Sequence, residues 1–463
     1  MVPFKRMTPE EGGVSSRDLY ALLDAYITRD YEEEVHSFLL LRHGALLAAG
    51  AYAPYSLKDR STACSCSGIL VATAAGFAMA EGLFSAEDAV ADCFPEYLPE
   101  HPKEAVFRIQ VKHLLMLSVG QADEAERESV AIIAGEDEQN LAFEFFRSWA
   151  GVESEGALRY DRRATYMLSL LIRKTAGTDV LTYLTPRLFE PLGVEAPPCI
   201  RDENGVPAGW TGVRLTVGEL ARIGQLYLDG GRYSGKQILP LGFAERLLNC
   251  CAQGRKEAGK DRRGGYSIYG FCGAFGQICA VIPELDAVFA VFSGCSKKGI
   301  HRVWDKFDEI FMTKFSDEPL PPDEEGNRML EELIQNLAIP EIYSTPSPKM
   351  PLYSGRTLPL LPGSPWESVT LRFAGDAVTV ELSGKSPVLY SAGLTRPMRT
   401  HILSQETVFL KAELETVYSS TARWETQDRL LVSTHIVACP TNLYLEADFK
   451  KNTARLYTVR GCF

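Results

Sequence analysis

Residues 68–80, GILVATAAGFAMA, carry no charged side chain and offer only small or apolar groups on every side of a helix. The run is shorter than the roughly 18 apolar residues that a membrane span needs. A helix that is apolar all round is typical of a protein interior. The sequence therefore predicts a buried helix, and Ser65 lies just before it.

Composition narrows the possible partners. The chain has 463 residues, enough for two or three domains, with 48 basic against 60 acidic side chains and a net charge of −12. No basic stripe is present to neutralise phosphates, so we expect no nucleic-acid partner. Neither a signal-like apolar stretch near residue 1 nor a membrane span is evident, and we expect no membrane association.

Cysteine usage bears on the compartment and on metals. The chain has 11 cysteines, an odd number, which without an export signal predicts free thiols in the cytoplasm. Cys64 and Cys66 have no His/Cys cluster near them at ligand spacing, so we expect neither a metal nor another cofactor.

Two hairpin patterns enclose a helical middle region. SFLLLRHGALLAAGAY (residues 37–52) has two apolar runs around an Arg-His-Gly turn, and GQICAVIPELDAVFAVFSG (residues 276–294) has two around Pro283–Asp286. A helical pattern precedes the first hairpin and another follows the second. We expect the hairpins to pair in one sheet, with the opening and closing helices covering one face.

The remainder of the chain changes character. SDEPLPPDEEGN (residues 316–327) is rich in proline and acidic residues, and an amphipathic helix is predicted at Arg328–Leu337. Beyond residue 343, six segments alternate apolar and polar residues with the period-two pattern of antiparallel strands. We predict a domain at 1–315, a linker with a short helix at 316–342, and a β-strand domain at 343–463.

Several segments resemble the serine β-lactamase family, in the branch of class C β-lactamases, DD-peptidases and esterases. They occur in the family's order: PYSLKDRSTACSCSGILVATAAGFAMAEGLFS, VKHLLMLSVG, LRYDRRATYMLSLLIRKTAG, GWTGVRLTVGELARIGQLYLDGG and GAFGQICAVIPELDAVFAVFSG. The resemblance covers most of residues 30–315. It implies an α/β sandwich, an antiparallel sheet flanked by helices with a helical subdomain, and the strand pattern adds a C-terminal antiparallel β domain.

The resemblance also implies a chemistry. A serine at the start of a buried helix attacks an acyl carbon, a lysine one helical turn later holds its proton network, and a tyrosine shuttles the proton. The ungapped match from Pro54 to Ser85 places the nucleophile at Ser65, and Tyr160 falls on the shuttle tyrosine. The resemblance of the later segments LRYDRRATYMLSLLIRKTAG and GGYSIYGFCGAFGQ implies that Arg162, Gly270, Gly273 and Phe275 form the substrate-binding side.

Three positions depart from the family pattern. The lysine position holds Gly68, Arg162 replaces a small polar residue two places after the tyrosine, and GGYSIYGFCGAFGQ lacks the lysine or histidine that would bind a substrate carboxylate. General base assistance contributes about 10²–10⁴-fold in rate. A serine without an activating partner is a poor nucleophile at neutral pH.

Other groups could in principle supply the missing function, although each has a structural interpretation. Arg162 or Arg163 could bring a cation, yet a guanidinium cannot act as a base. Lys58 could fold over the cleft but is more simply a surface residue, and His113 is more simply structural. Cys64 or Cys66 could act as a nucleophile, but neighbours on a helix point about 100° apart. Tyr160 could act as a base only with a depressed pKa.

Two function classes remain. The chain is either a serine hydrolase relative acting on an amide, ester or lactam with impaired or altered acyl-serine chemistry, or a non-catalytic relative that keeps the cleft for binding or as a scaffold. Both imply a small acyl, peptide or ester ligand. The sequence leaves open the substrate, the oligomeric state and the role of the β-strand domain.

Overall fold

The computed structural model describes residues 3–27, 33–115, 138–147, 162–199, 212–254, 261–263, 266–310, 312–404 and 414–458. The α-helices in this part of the chain are α1 (Ser16–Ala25), α2 (Gly68–Ala80), α3 (Val90–Cys93), α4 (Val111–Leu115), α5 (Glu138–Arg147), α6 (Arg162–Ala176), α7 (Val180–Leu184), α8 (Glu190–Leu192), α9 (Val217–Leu228), α10 (Phe243–Gly254), α11 (Lys297–Ile310), α12 (Glu324–Gln335) and α13 (Met350–Tyr353).

The strands over the same ranges are β1 (Val35–Arg42), β2 (Ala45–Ala51), β3 (Ser61–Thr62), β4 (Arg214–Leu215), β5 (Arg232–Tyr233), β6 (Lys236–Gln237), β7 (Asp261–Arg263), β8 (Tyr266–Gly273), β9 (Gln277–Ile282), β10 (Ala287–Ser293), β11 (Arg356–Pro359), β12 (Trp366–Ala374), β13 (Ala377–Gly384), β14 (Val388–Gly393), β15 (Met398–Ser404), β16 (Leu414–Thr426), β17 (Arg429–Ile436), β18 (Asn442–Asp448) and β19 (Thr453–Thr458).

The first sheet has the order β2-β1-β10-β9-β8-β7 and is antiparallel. Both predicted hairpins are confirmed, β1–β2 around His43 and Gly44 and β9–β10 around Pro283–Asp286. They pair through β1 and β10, with Phe38 opposite Val291. The two ends of this part of the chain therefore lie side by side in one sheet.

Helices cover both faces of the first sheet. On one face α1 packs against α11 and α12, and their apolar side chains share a core with Phe38, Phe289 and Val291. On the other face α9 lies across β1, β9 and β10. Strands β9 and β10 are buried along their whole length, as expected for strands covered by helices on both sides.

Helix α2 is buried from Gly68 to Ala78, so the predicted buried helix is confirmed. It packs against α6 and α7 in the helical region beside the sheet. At Gly76 the ring of Phe243 comes so close that an added Cβ would lie 2.5 Å from it. The small side chains of this helix thus allow its neighbours to approach from all sides.

In the described part of the chain, the second sheet has nine strands in the order β11-β12-β13-β14-β16-β17-β18-β19, with β15 paired to β16. A bridge between Leu360 and Ala454 joins its two ends, so the sheet nearly closes on itself. On β18, the residues predicted to share one face, Leu443, Leu445 and Ala447, are all buried in one core. The predicted strand at 407–412 lies outside the described residues.

The chain between the two sheets packs onto the first. Helix α12 begins at Glu324 rather than at Arg328, because the Asp323 carboxylate caps it by accepting from the Gly326 amide at 2.8 Å. Leu330 and Leu337 are buried in the core beneath α1. The division of the chain into domains at 315 and 343 stays a prediction.

Within the described ranges, the helices are all too short or too polar to cross a bilayer.

Gly224 tests the packing of α9 on the sheet. An added Cβ would lie 2.7 Å from Cys279 Sγ and 2.8 Å from Val288 Cγ1, both buried in the sheet. We expect Gly224→Ala to lower the free energy of unfolding by about 1–3 kcal/mol through overpacking. The measurement is the midpoint of chemical denaturation at unchanged slope.

Gly218, in the first turn of the same helix, is the matched control. The nearest atom to its added Cβ is Thr216 Oγ1 at 3.9 Å. Gly218→Ala is expected to leave stability unchanged or raise it by up to about 1 kcal/mol, since alanine is the better helix former. Equal losses for both variants would contradict the packing argument.

Candidate functional site

The predicted nucleophile lies in a tight turn that leads into α2. Residues Cys64–Ser67 form one 3₁₀ turn, after which α2 begins at Gly68. Cys64, Cys66 and Ser67 are buried, whereas Ser65 is half-buried. Ser65 is therefore the residue of this turn with its side chain nearest to solvent, as a residue that meets a ligand has to be.

Strand β8 forms one wall beside this turn. Cys66 Sγ donates a hydrogen bond to the Phe271 carbonyl oxygen at 3.0 Å and lies 3.3 Å from that of Gln277. At Gly273 an added Cβ would lie 2.7 Å from the Ala63 carbonyl oxygen. Glycine at 273 therefore allows the strand and the turn to meet backbone to backbone.

The turn after β8 is held by buried polar groups. Phe275 has φ +65°, a left-handed conformation that bulky residues rarely adopt. Ser293 Oγ lies 2.7 Å from the carbonyl oxygens of both Phe275 and Gly276, and the Cys295 amide donates to that of Phe275 at 2.9 Å. Gln277 Nε2 donates to the carbonyl oxygens of Ala274 and Ser293. The surrounding sheet thus stabilises an unfavourable conformation.

The other wall is the short β3–β4 pair. The Ala63 amide donates to the Val213 carbonyl oxygen at 2.8 Å, immediately before the Cys64–Ser67 turn. Arg60 donates to Glu219 at 2.6 Å, and Glu219 completes a capping box with Thr216 at the start of α9. The turn is therefore anchored to α9 as well as to β8.

Gly68 occupies the first position of α2, where the family pattern places lysine. It has helical backbone angles, φ −56° and ψ −29°, and is buried. The neighbouring Ser67 hydroxyl is fully buried and has no hydrogen-bond partner among the described residues. A glycine here places no amine beside Ser65.

Four of the six residues predicted for the site are described, and they lie on the Cys64–Ser67 turn or on the segment from β8 to β9 that contacts it. Ser65 lies in the turn, Gly270 and Gly273 lie on the strand beside it, and Phe275 lies in the turn that follows that strand. Tyr160 and the side chain of Arg162 lie outside the described residues, although Arg162 marks the start of α6. The roles assigned to these residues stay predictions.

Three of the groups considered as substitutes, His113, Arg163 and Lys58, lie among the described residues, and each is engaged elsewhere or exposed. The backbone amide of Gln110 donates to His113 Nδ1 at 3.0 Å, which is a helix-start contact. Arg163 is buried and donates to the Glu144 carbonyl oxygen at 3.5 Å, and Lys58 is exposed. Across the described ranges, the His, Cys, Asp and Glu side chains form no group of three or more suited to a metal ion.

One neighbour of the turn was missed by the sequence analysis. The amide and hydroxyl of Thr62 donate to the Ala438 carbonyl oxygen at 3.1 and 2.8 Å, and the Ser61 hydroxyl donates to that of Val437 at 3.2 Å. Residues 437 and 438 follow strand β17 of the second sheet. No local pattern predicts a contact between residues 376 positions apart.

Gly273 gives a direct test of the strand–turn contact. An alanine methyl group at 273 would force β8 away from Ala63, whereas at Gly270 the nearest atom is only the Cys272 thiol, at 3.2 Å. We expect Gly273→Ala to raise the alkylation rate of Cys66 in the folded protein about tenfold, because local opening becomes easier. Peptide mass spectrometry measures the rate, and an equal increase in Gly270→Ala would contradict the assignment.

Comparisons with known proteins match much of this chain to one family. The family model described as Beta-lactamase matches residues 25–305. A 6-aminohexanoate-dimer hydrolase of Paenarthrobacter ureafaciens is 25% identical over 309 residues, which cover 58% of this chain and 77% of that protein.

Solved structures extend the likeness. The octameric penicillin-binding protein homologue from Pyrococcus abyssi has a TM-score of 0.50 at 17% identity. The match covers 96% of this chain and 99% of that chain. A D-stereospecific amidohydrolase from Streptomyces sp. has a TM-score of 0.47 at 13% identity. The match covers 59% of this chain and 93% of that chain. Since the family model spans more than half of the sequence, the chain belongs to the β-lactamase family.

Proposed function

We propose that this β-lactamase-family protein binds a small acyl, amide or peptide ligand in the cleft at Ser65, and that its acyl-serine chemistry is impaired. The observation that carries the proposal is the buried Gly68 at the first position of α2, directly after the Ser65 turn. The family mechanism needs a proton acceptor on this turn of the helix. A glycine supplies none.

The loss of rate expected from a missing general base is large enough to impair catalysis and is more than a minor change. Loss of general base assistance lowers the rate by about 10²–10⁴-fold. Glycine at the start of α2 also costs conformational freedom relative to alanine, so it is a poor choice for packing alone. An unpaired lysine in a buried site would be costly as well. Loss of the lysine therefore fits a site from which base catalysis has been removed.

The walls of the cleft support retention of binding. Gly273 keeps its backbone contact with the Ser65 turn, and the left-handed Phe275 is held by Ser293 and Cys295. Maintaining such a conformation costs free energy. A cleft that had lost every use would gain stability by relaxing it. This favours a retained ligand site over a bare scaffold.

The relative from Paenarthrobacter ureafaciens guides the choice of ligand. Its name is 6-aminohexanoate-dimer hydrolase. We take linear amides of small carboxylic acids as the first ligand class to test, ahead of lactams. We also propose a cytoplasmic location, which rests on the odd number of cysteines, 11, in the sequence.

Covalent labelling tests whether Ser65 still reacts. We expect a fluorophosphonate at high excess to label the protein slowly through Ser65, because the helix start favours developing negative charge even without a base. Intact mass spectrometry should show one adduct that disappears in Ser65→Ala. The matched control is Ser67→Ala, two residues on, where the hydroxyl is fully buried and the adduct should persist.

Absence of any adduct would favour the alternative, a non-catalytic binding protein that keeps the family fold. An adduct that survives in Ser65→Ala would contradict the assignment of Ser65.

Restoring the amine tests the role of position 68. We expect Gly68→Lys to raise turnover of a chromogenic ester by about 10²-fold or more, since base assistance is worth that much. The matched control is Gly68→Met, which adds similar bulk without an amine. Turnover that rises equally in both variants, or in neither, would show that the missing amine is not what limits the site.

A further inference from the structure

A buried ionic cluster lies between the two sheets. Glu34, one residue before β1, has a carboxylate oxygen 3.2 Å from His435 Nδ1 on β17, and His435 Nε2 lies 3.1 Å from Glu341. The Asn442 amide nitrogen lies 3.0 Å from both Glu34 oxygens. The side chains of Glu34 and His435 are 4% and 5% exposed. These contacts join residues separated by most of the chain.

The cluster is charged as a unit. Burial by itself lowers the pKa of His435, but the Glu34 and Glu341 carboxylates outweigh it and raise the pKa to about 10. Burial by itself raises the pKa of Glu34, but His435 and His36 hold it well below its usual range. At neutral pH an imidazolium therefore lies between two carboxylates. The stabilisation from His435 is complete below its unfolded pKa of about 6.5 and is lost as the pH rises through about 10.

Further ionisable groups surround this cluster. His36 Nε2 lies 3.1 Å from Glu34, and burial lowers the pKa of this histidine, so its ring is neutral. Tyr55 stacks on His36 with ring centroids 3.8 Å apart and meets His435 edge-on at 5.8 Å. Asp59, Cys439 and Tyr444 face Tyr55 from the surrounding segments.

The segment that follows His435 reaches the Ser65 turn. Val437 and Ala438 accept three hydrogen bonds from Ser61 and Thr62. Thr62 is three residues before Ser65, and both of its donors go to the same carbonyl oxygen. One wall of the cleft is therefore attached to the second sheet.

The same segment reaches the opposite wall. The Pro440 carbonyl oxygen packs against Gly294, where an added Cβ would lie 2.5 Å from it. The Gly294 amide donates to the Glu34 carbonyl oxygen at 2.8 Å, and the next residue, Cys295, donates to Phe275. The ionic cluster is thereby connected to the turn that holds Phe275.

We propose that residues 437–442 are a clamp that holds the two walls of the Ser65 cleft together, and that the Glu34–His435–Glu341 cluster with Asn442 latches it. His435 and Asn442 are then positioning residues for the cleft, although they lie on the second sheet. This inference depends on the proposed function in one respect: it takes the cleft at Ser65 as the ligand site. It gives the second sheet a role in shaping that site.

Hydrogen exchange on the full chain tests the clamp at fixed pH. Breaking a buried ion pair leaves an uncompensated charge, so His435→Gln should speed amide exchange at least about tenfold in peptides covering 61–67 and 273–277, as well as in 437–442. The matched control is His401→Gln, an exposed histidine of the same sheet, which should leave these peptides unchanged. Faster exchange confined to 437–442 would overturn the proposal.

A double-mutant cycle separates a charge latch from simple packing. Glu34→Gln and His435→Gln should each speed amide exchange in residues 61–67. The double variant should exchange more slowly than the sum of the two single effects predicts, because neither charge is left without its partner. If the effects of the two substitutions on the exchange rate are additive, the proposal that this charge pair latches the clamp is overturned. The ¹⁵N-histidine NMR resonance that is absent from the spectrum of His435→Gln belongs to His435. In the unsubstituted protein this resonance should be that of an imidazolium at pH 8, and a neutral ring at that pH would also overturn the proposal.

A steric variant covers the case in which the charge variants fail to fold. Gly294→Ala pushes on Pro440 and also on His36, whose Nε2 would lie 2.9 Å from the added Cβ, while it keeps every charge of the cluster; Gly218→Ala on α9 is its control. Faster exchange in both 61–67 and 273–277 supports the clamp, and unchanged exchange there overturns it. None of these measurements requires Ser65 to react, so they are independent of the labelling result.

Discussion

Strand β1 pairs with β10 although the two come from opposite ends of the first sheet's sequence, and the surroundings of the Ser65 turn depend on this pairing. The register places Val35 opposite Ser293, so Glu34 lies beside Gly294. Ser293 in turn holds the carbonyl groups of the turn at Phe275. A shift of one residue would point each side chain of β1 to the other face of the sheet and dismantle both contacts.

The surroundings of Ser65 combine conformationally costly backbone features with a glycine at position 68, where the family resemblance implies lysine. Close backbone approach at Gly273 and the left-handed Phe275 are features that cost conformational freedom or strain, and the buried hydrogen bonds of Gln277 and Ser293 offset them. Position 68 bears on a different property, namely which group could accept the proton of the Ser65 hydroxyl, and not on the shape of the cleft. The proposed function accordingly treats binding, which depends on the shape around Ser65, separately from chemistry, which depends on the group at position 68.

The buried ionic cluster shows how the second sheet is joined to the first. Removing Glu34 and His435 from water is costly, and the contacts of Glu341 with His435 and of Asn442 with Glu34 offset part of that cost. Apolar residues of similar volume are often as stabilising as a buried ion pair, so stability alone does not account for the cluster. Charged groups with fixed partners favour one relative position of the two sheets, and the walls of the cleft lie where that position matters.

Local patterns in the sequence were sufficient for the elements that bury one continuous face. The hairpins at 35–51 and 277–293, the apolar α2 and the alternating β18 follow from periodicity and turn residues, which depend on neighbours in the chain. The family resemblance added Ser65 and the order of the segments around it. Helix α12 began earlier than its apolar pattern predicts, because the Asp323 cap and not hydrophobicity sets its start.

Only the tertiary structure decided what surrounds Ser65. The contact of Thr62 with Ala438, the approach of Gly273 to Ala63 and the meeting of Glu34 with His435 join positions far apart in sequence, and none of them leaves a local pattern. Such contacts depend on sheet register and on how the two sheets are packed together. The sequence by itself determined the family, the buried helix and the missing lysine, because each is a property of neighbouring residues, whereas the shape of the cleft depends on distant ones.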